Sequence, residues 1–434
     1  MASKPQIESK PQIQVRFDIT GDTDYGYLFT KCIYKGLLNK GYTVKITLSD
    51  TNYGVLTKLI EDGYFTNARI NPIKIKFKLL WSAQAKYPEG ATKEQEAIIT
   101  SMRTYSDGFD RAYTEFTAID PPSYYLNQGD GSGKAYKGKL SSVIKSVVNE
   151  YAPKIKLDID DTSDSDKNTW WLLRQDPKNF IINTLSFVPS FNKKKTNWMI
   201  TPNNSYLSIK EQGNVISKYR AYYRYWNGTK DTIRSHNLTA DNYLSILDTK
   251  IVTQGLSTIS GRYFDNVTDK KEEYTVVKDS NTETKQTAKI DEKSSFKKPP
   301  DDPNTKPDKI GATSIISMPE LYSAGDIGLN YKDYIDSKAR SMWLKQLNSL
   351  VRMTLRVPGH GEWSNCDGLG IDTIYINWFK GKMPDDNGRN RYFISGNWIV
   401  YGFKHEMINN SWNTDLYCVR FDQNAKSKVV GSSD

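Results

Sequence analysis

Apolar and polar residues alternate along several short runs of this chain. Ile13-Gln14-Val15-Arg16-Phe17-Asp18-Ile19, Tyr42-Thr43-Val44-Lys45-Ile46-Thr47-Leu48 and Ile73-Lys74-Ile75-Lys76-Phe77-Lys78-Leu79 put apolar side chains at every second position. That period belongs to a strand with one face buried and one face wet. Ala112 to Ala118 reads as a further strand. The turn-prone run Ser49-Asp50-Thr51-Asn52 is followed by Tyr53, Leu56, Leu59, Ile60 and Tyr64 at helical spacing, with Asn52 or Thr51 as the cap. Strands around one short helix, without a βαβ rhythm, predict an antiparallel barrel or sandwich over residues 14–120.

Pro121-Pro122 marks a boundary, and a mixed α/β domain is expected over residues 121–218. Leu140, Val143, Ile144, Val147, Val148 and Tyr151 form a helical stripe that Ala152-Pro153 ends. Asp176-Pro177 opens a second helix, with Asp as cap and Pro at the first position. Its apolar face is Phe180, Ile181, Thr184, Leu185 and Val188, and Trp198 to Ile200 and Tyr206 to Ile209 read as strands behind it. A second strand-rich domain is expected over 219–268 and 310–424. It has a helix through Ile335, Ala339, Met342, Trp343, Leu347 and Leu350, and strands at Val351–Val357, Ile371–Trp378, Tyr392–His405 and Thr414–Phe421. The segment 269–309 carries ten Lys against ten Asp and Glu and several prolines, which predicts a solvated loop or disordered insertion. Residues 1–13 read as a flexible arm ordered from about Gln14, and 425–434 as a tail. The last domain repeats the plan of the first, without a residue-level repeat.

Composition adds constraints. The 434 residues allow several domains. Aromatics reach 12%, with 28 Tyr and 10 Trp, which suits either a β-rich core or a contact surface. No run of about 18 apolar residues occurs, so no membrane insertion is expected, and the N-terminal residues carry no apolar leader. The net charge of +10 permits contact with nucleic acid or an acidic partner without choosing between them. Cys32, Cys366 and Cys418 lie too far apart for a disulfide framework or a metal site, and free thiols are expected.

Motifs with chemical potential fail on inspection. Gly129-Asp130-Gly131-Ser132-Gly133-Lys134 looks like a phosphate loop, but Gln128 stands where the first glycine belongs and Ala135 follows the lysine. A flexible loop is expected there instead. The acidic run Asp158 to Asp166 lacks the glycine and glutamate of a calcium loop, leaving a solvated loop or an irregular cation site. His236, His360 and His405 have no metal-ligand spacing, and no Gly-X-Ser-X-Gly elbow occurs. No catalytic residue, cofactor or metal is therefore assigned, and the chain is not expected to be an enzyme. A wall-degrading hydrolase ranks last among the readings.

The end of the chain is more specific. Ser395-Gly396-Asn397-Trp398-Ile399-Val400-Tyr401-Gly402-Phe403-Lys404-His405 leads to the turn Asn409-Asn410-Ser411, and Thr414-Asp415-Leu416-Tyr417-Cys418-Val419-Arg420 returns. This resembles the last hairpin of phage baseplate hub proteins, the late control protein D family, related to the N-terminal part of VgrG spikes. There a Trp- or Tyr-containing strand ends near a His, and a Thr opens the return strand. Gly138-Lys139-Leu140-Ser141-Ser142-Val143-Ile144 is similar to that family's glycine and helix, and the helix after Gln175-Asp176-Pro177 is similar too. The insertion 269–309 departs from the compact pattern.

The resemblance implies a β-rich α+β fold, with two tube-like antiparallel β-barrel domains and a mixed domain between them. It implies a homotrimer in the baseplate of a contractile tail, assembled in the host cytoplasm. Such a hub joins a sixfold tail tube protein to a threefold central spike protein, contacts other baseplate proteins, and meets DNA only by its passage through the lumen. Apolar residues on both faces of the last hairpin suggest a sheet covered on both sides. Ile399, Tyr401 and Phe403 read as one face, and Trp398 and Val400 as the other. Trp398, Val400, Tyr417 and Val419 are the expected subunit or partner contacts. The competing reading is a basic nucleic-acid-binding protein.

Overall fold

The computed structural model describes residues 11–18, 23–51, 53–61, 72–81, 92–108, 111–129, 132–173, 175–188 and 198–211. Beyond these it describes 219–225, 235–238, 246–249, 254–265, 270–277, 312–317, 351–359, 361–363, 366, 369–370, 372–377, 396–409 and 411–420. The expected helix at 335–350 lies outside the described residues, as do most of the N-terminal arm and the tail from 421.

The first block holds β1 (Pro11–Phe17), β2 (Phe29–Leu37), β3 (Gly41–Ser49), α1 (Gly54–Glu61), β4 (Lys74–Trp81), β5 (Gln95–Ser106) and β6 (Ala112–Ile119). The strands pair in the order β1-β4-β5-β6-β3-β2, all antiparallel. Strand β1 already includes residues before Gln14, because Pro11 to Phe17 pair in register with Trp81 to Ile75. The sheet curls over its own apolar face. Phe17 of β1 meets Phe116 of β6 at 5.1 Å between ring centroids, and Tyr34 of β2 meets Phe77 of β4 at 5.0 Å. Pro72, with no N–H to donate, stands just before the start of β4.

The mixed block begins with α2 (Pro121–Asn127), which the proline pair starts rather than precedes. Asp120 caps it, accepting from the Ser123 N–H at 2.7 Å. Then come β7 (Ser132–Lys137), α3 (Leu140–Tyr151), β8 (Lys156–Ile159), β9 (Thr169–Leu173), α4 (Pro177–Leu185), β10 (Trp198–Asn203) and β11 (Tyr206–Glu211). Both helices expected from periodicity are present, with the expected residues buried except Tyr151, which is half-buried. Each such aliphatic side chain contributes about 2 kcal/mol by leaving water. The glycine-rich run read as a flexible loop enters strand at Ser132, where β7 pairs with β9. That pairing covers Trp170 and Leu172, which are fully buried.

Further along lie β12 (Tyr219–Tyr225), β13 (Ser235–Leu238), β14 (Ile246–Thr249), β15 (Gln254–Asp265), β16 (Lys270–Val277) and β17 (Ala312–Ser317). The last strands are β18 (Val351–Pro358), β19 (Thr373–Asn377), β20 (Gly396–Ile408) and β21 (Ser411–Arg420). The charged insertion is thus not wholly a loop, since Lys270 to Val277 pair antiparallel with β15. Among the described residues it is an end strand of a three-stranded sheet ordered β16-β15-β17. Among the described residues the first and last blocks share one mainly antiparallel sheet of 13 strands, joined where β2 pairs with β20. The described pairings run from β1 to β20 and branch there, through β19 and β12 to β13 and through β21 and β18 to β14.

Candidate functional site

The join between β2 and β20 is where one chain fuses two strand blocks. Lys31 to Leu37 pair antiparallel with Ile408 to Gly402. Alternation turns Cys32, Tyr34 and Gly36 inward against Met407, His405 and Phe403. Tyr34 is wholly buried, edge-on to Tyr42, Phe77 and Phe403 at 5.5, 5.0 and 5.1 Å, and stacked on His405 at 5.7 Å. A Cβ on Gly36 would lie 2.6 Å from the Phe403 ring, so only glycine lets that ring close over the strand. One core cluster runs through both blocks at this line.

A bulge between Val400 and Gly402 decides which side chains face this core. Trp398 and Val400 point inward, the register slips by one residue, and Phe403, His405 and Met407 then point inward as well. Phe403 therefore shares a face with Trp398 and Val400, not with Ile399 and Tyr401 as simple alternation suggested. Trp398 and Val400, two of the expected contact residues, are enclosed by the chain itself at 0% exposure. Tyr417 and Val419 lie on the opposite face, Tyr417 half-buried and Val419 8% exposed.

His405 shows how a histidine is accommodated in the inward row. Its Nδ1 lies 2.8 Å from the Thr414 hydroxyl and its Nε2 lies 2.8 Å from the Trp363 carbonyl. The Trp412 indole N–H donates to Nδ1 at 3.3 Å. A carbonyl can only accept, so Nε2 carries the proton and Nδ1 accepts. The His and Thr of the last hairpin are thus cross-strand partners, paired His405 to Thr414 in the ladder. This is structural polarity inside a core, with both ring nitrogens satisfied.

The opposite face carries cations and aromatic rings. Lys35 sits over Tyr417 at 5.6 Å and Arg352 over Tyr401 at 6.0 Å, and the two tyrosine rings are 6.1 Å apart. Arg356 forks onto Asp415 at 2.6 and 2.9 Å, and this pairing raises its pKa. Partial burial first, then the Asp415 charge, pushes the Tyr417 phenol up from its ordinary value.

The mixed block is tied to the first block through asparagines. Asn39, at φ 64°, accepts from the Ile200 N–H at 2.7 Å, and Asn204, at φ 44°, accepts from the Glu96 N–H at 2.8 Å. Between them lies a buried polar knot. The Asp120 carboxylate accepts from the Tyr42 N–H at 3.0 Å as well as from Ser123. Lys178 of α4 donates to the Ser123 hydroxyl at 2.7 Å and the Lys40 carbonyl at 2.9 Å. Burial pushes the Asp120 pKa up, the Lys178 charge pulling the other way, and burial pushes the Lys178 pKa down. A serine beside a lysine has the geometry of a Ser–Lys dyad. Ser123 is only 3% exposed, however, and the adjoining cavity of about 10 Å³ holds no more than a water.

The acidic run is not simply a solvated loop, because part of it is buried against the start of α3. Asp164, 5% exposed, accepts from the Leu140 N–H at 2.7 Å. Thr162 accepts from the Ser141 N–H at 3.0 Å, and Asp161 from the Ser141 hydroxyl at 2.6 Å. These groups satisfy the first donors of α3, whose own Lys139 cap supplies no side-chain bond. Among the described residues no three His, Cys, Asp or Glu side chains gather at metal distance. Cys32, Cys366 and Cys418 are buried free thiols, and burial pushes Cys32 and Cys418 well above the usual thiol pKa. Among the described residues no helix is long and apolar enough to cross a membrane.

The seam residues on β2 were not found by sequence reasoning. Its inward row is Cys, Tyr and Gly, and its outward row holds Ile33 and Leu37, so alternation is weak. Gly36 inside a strand-like run was the available signal, since such a glycine marks close approach of another element.

No protein-family model and no curated protein matches the sequence. Solved structures do. The tail protein from Neisseria meningitidis MC58 is similar at 10% identity and TM-score 0.54, over 95% of this chain and 97% of that one. The 43 kDa tail protein of prophage MuSo2 from Shewanella oneidensis is similar at 9% identity and TM-score 0.54, over 95% and 99%. A chain of the lidless PdpA–VgrG complex is similar at 8% identity and TM-score 0.50, over 97% and 67%. At these identities the likeness is one of fold. The chain has the fold of phage tail proteins, the class that the sequence resemblance named.

Proposed function

We propose that this chain is the structural hub of a phage tail baseplate, a homotrimer that joins a sixfold tail tube to a threefold central spike. The observation that carries the reading is the β2–β20 seam, which fuses two strand blocks of one chain into a single sheet. Two such blocks per chain and three chains give six blocks around an axis, the count an adaptor between sixfold and threefold partners requires. The likeness in fold to tail proteins, over nearly the whole of both chains, supports it.

In this reading each block is a barrel-like unit of the tube. The tail tube protein, the spike and other baseplate proteins are the partners, and the work is structural rather than catalytic. The protein resides in the tail baseplate of a contractile particle after assembly in the host cytoplasm, without membrane insertion. DNA passes through the lumen. A partner that reaches the last hairpin meets Tyr417, since Trp398 and Val400 are spent on the chain's own core and Val419 is itself largely buried. Light scattering of the purified protein, alone and with a spike protein, is expected to give the mass of a trimer. A monomer under both conditions would rule the hub out.

A further inference from the structure

The sheet that joins the blocks has a second face, turned away from the core. On β5, β6, β3, β2, β20, β21 and β18 the residues that alternate with the buried row share that face. It carries more cations than carboxylates. Lys45 is held by Glu115 at 2.8 Å, Lys404 by Glu406 at 3.1 Å, and Arg356 by Asp415. Arg352 stands across from Asp248 in the β14–β18 ladder. Arg103 stands across from Glu115, the carboxylate that Lys45 already takes. Lys31, Lys35 and Arg103 form no ion pair among the described residues.

Two of these three cations are held over rings. Lys35 lies over Tyr417 at 5.6 Å, and Arg103 lies over Tyr105 at 5.8 Å, the latter ring stacked on Tyr113 at 5.3 Å. The seam itself sets two like charges face to face, since Lys35 of β2 pairs directly with Lys404 of β20. Such a cross-strand pair costs stability unless an anion meets it. The exposed hydroxyls of Thr43 and Ser101 stand on the same face. The rival place for an anion is the outer side of β4. There Lys76 stands across from Arg16, and Lys76 and Lys78 alternate with Phe77, whose ring meets Tyr34 inside the core. Among the described residues no aromatic ring lies under either of those lysines.

We propose that the outward face of the β2–β20 seam, through Lys31, Lys35 and Arg103, holds the phosphate backbone of double-stranded DNA. A phosphate beside Lys35 and Lys404 relieves their repulsion, and threonine, serine and tyrosine hydroxyls add uncharged donors among the cations. These groups read no base edges, so the binding is independent of sequence and driven by release of counterions. An acidic peptide meets the same charges, but an extended peptide is captured by a groove or an open strand edge. This face is the interior of a paired sheet and provides neither. The inference goes beyond the hub reading, in which DNA only passes. It gives the chain a face that holds the backbone, and one copy of the chain is enough for it.

The test is binding of the full-length protein to a fluorescein-labelled DNA duplex, followed by anisotropy between about 50 and 200 mM salt. The logarithm of the binding constant is expected to fall linearly with that of the salt concentration. Lys31→Gln with Lys35→Gln is expected to make that slope shallower by about 2, and Arg103→Gln by about 1. Both variants are expected to keep the near-ultraviolet circular dichroism of the wild type, because these side chains are exposed or half-buried. Lys76→Gln with Lys78→Gln, on the opposite wall, is expected to leave the slope unchanged. No binding at the lowest salt overturns the inference, and so does an equal change of slope in the opposite-wall variant. Binding of a poly-glutamate peptide without binding of the duplex assigns the face to an acidic protein and overturns it as well. A monomer that holds DNA through these residues overturns the hub and leaves this face standing, and a trimer that holds none does the reverse.

Discussion

Lys178 carries its charge into a place that water has largely left, and its three neighbours explain why it stays. It donates to Ser123 and to the Lys40 carbonyl, and it faces the buried Asp120 carboxylate. Replacing it by methionine keeps the stem and removes the charge and both donors. Lys178→Met is expected to lower stability by about 2 kcal/mol at neutral pH, because a buried carboxylate and a carbonyl lose their partner. The pH dependence has a definite sign. Asp120 already binds its proton more tightly in the folded chain than the ordinary value of 3.8, and removing Lys178 raises its pKa further. A raised carboxylate pKa makes the unfolded state release its proton first, so the variant loses stability relative to wild type as pH climbs from about 4. Urea unfolding of both proteins at several pH values checks this, and a stability gap that does not narrow on acidification would show that Asp120 does not feel Lys178.

Among the elements, α3 depends on a segment far from it in sequence. Its stripe of Leu140, Val143, Ile144, Val147 and Val148 makes it a helix with a buried face, yet its first turn has no side-chain cap of its own. The acidic loop provides it, through Asp164 to Leu140 and Thr162 to Ser141. Asp164→Ala is expected to destabilise the protein by about 1–2 kcal/mol, as loss of a cap does. Thermal unfolding measures this, and hydrogen exchange localises it. Faster exchange is expected at residues 139–142 and not at 145–150, and uniform exchange along α3 would refute the capping role. The sequence showed the helix clearly, because a stripe of aliphatic residues is a local signal. It showed the cap only as a run of acids, because nothing local connects residue 164 to residue 140.

The whole molecule turns on whether the β2–β20 seam is rigid. Gly36 and Phe403 are a close approach between the blocks, and a methyl group at Gly36 has nowhere to go. Gly36→Ala is expected to cost about 2 kcal/mol by overpacking. Phe403→Leu in the same chain should return part of that loss, because the smaller side chain vacates the space. A double-mutant cycle by urea denaturation is expected to show coupling above about 0.5 kcal/mol. Strict additivity would mean that the two strands do not pack as described.

Periodicity alone determined much of the first block: β1, β3, β4 and β6. It placed α1 between β3 and β4 but not its face, since Val55 and Leu59 are buried while Tyr53 and Ile60 are exposed. It also determined the two long helices of the mixed block and the final hairpin with its turn near Asn409. These are places where neighbours in sequence share one face, so the buried side is written locally. Tertiary structure alone decided the rest. β2 hides behind Cys, Tyr and Gly because its inner face is completed by another block. β5 hides because a bulge near Thr100 breaks its alternation and its outer half is exposed on both faces. The Val400–Gly402 bulge moved Phe403 to the core side, and with it the question of which residues a partner can touch. A one-residue slip leaves the composition of a strand unchanged and inverts its faces, so only the ladder across from it can decide the register.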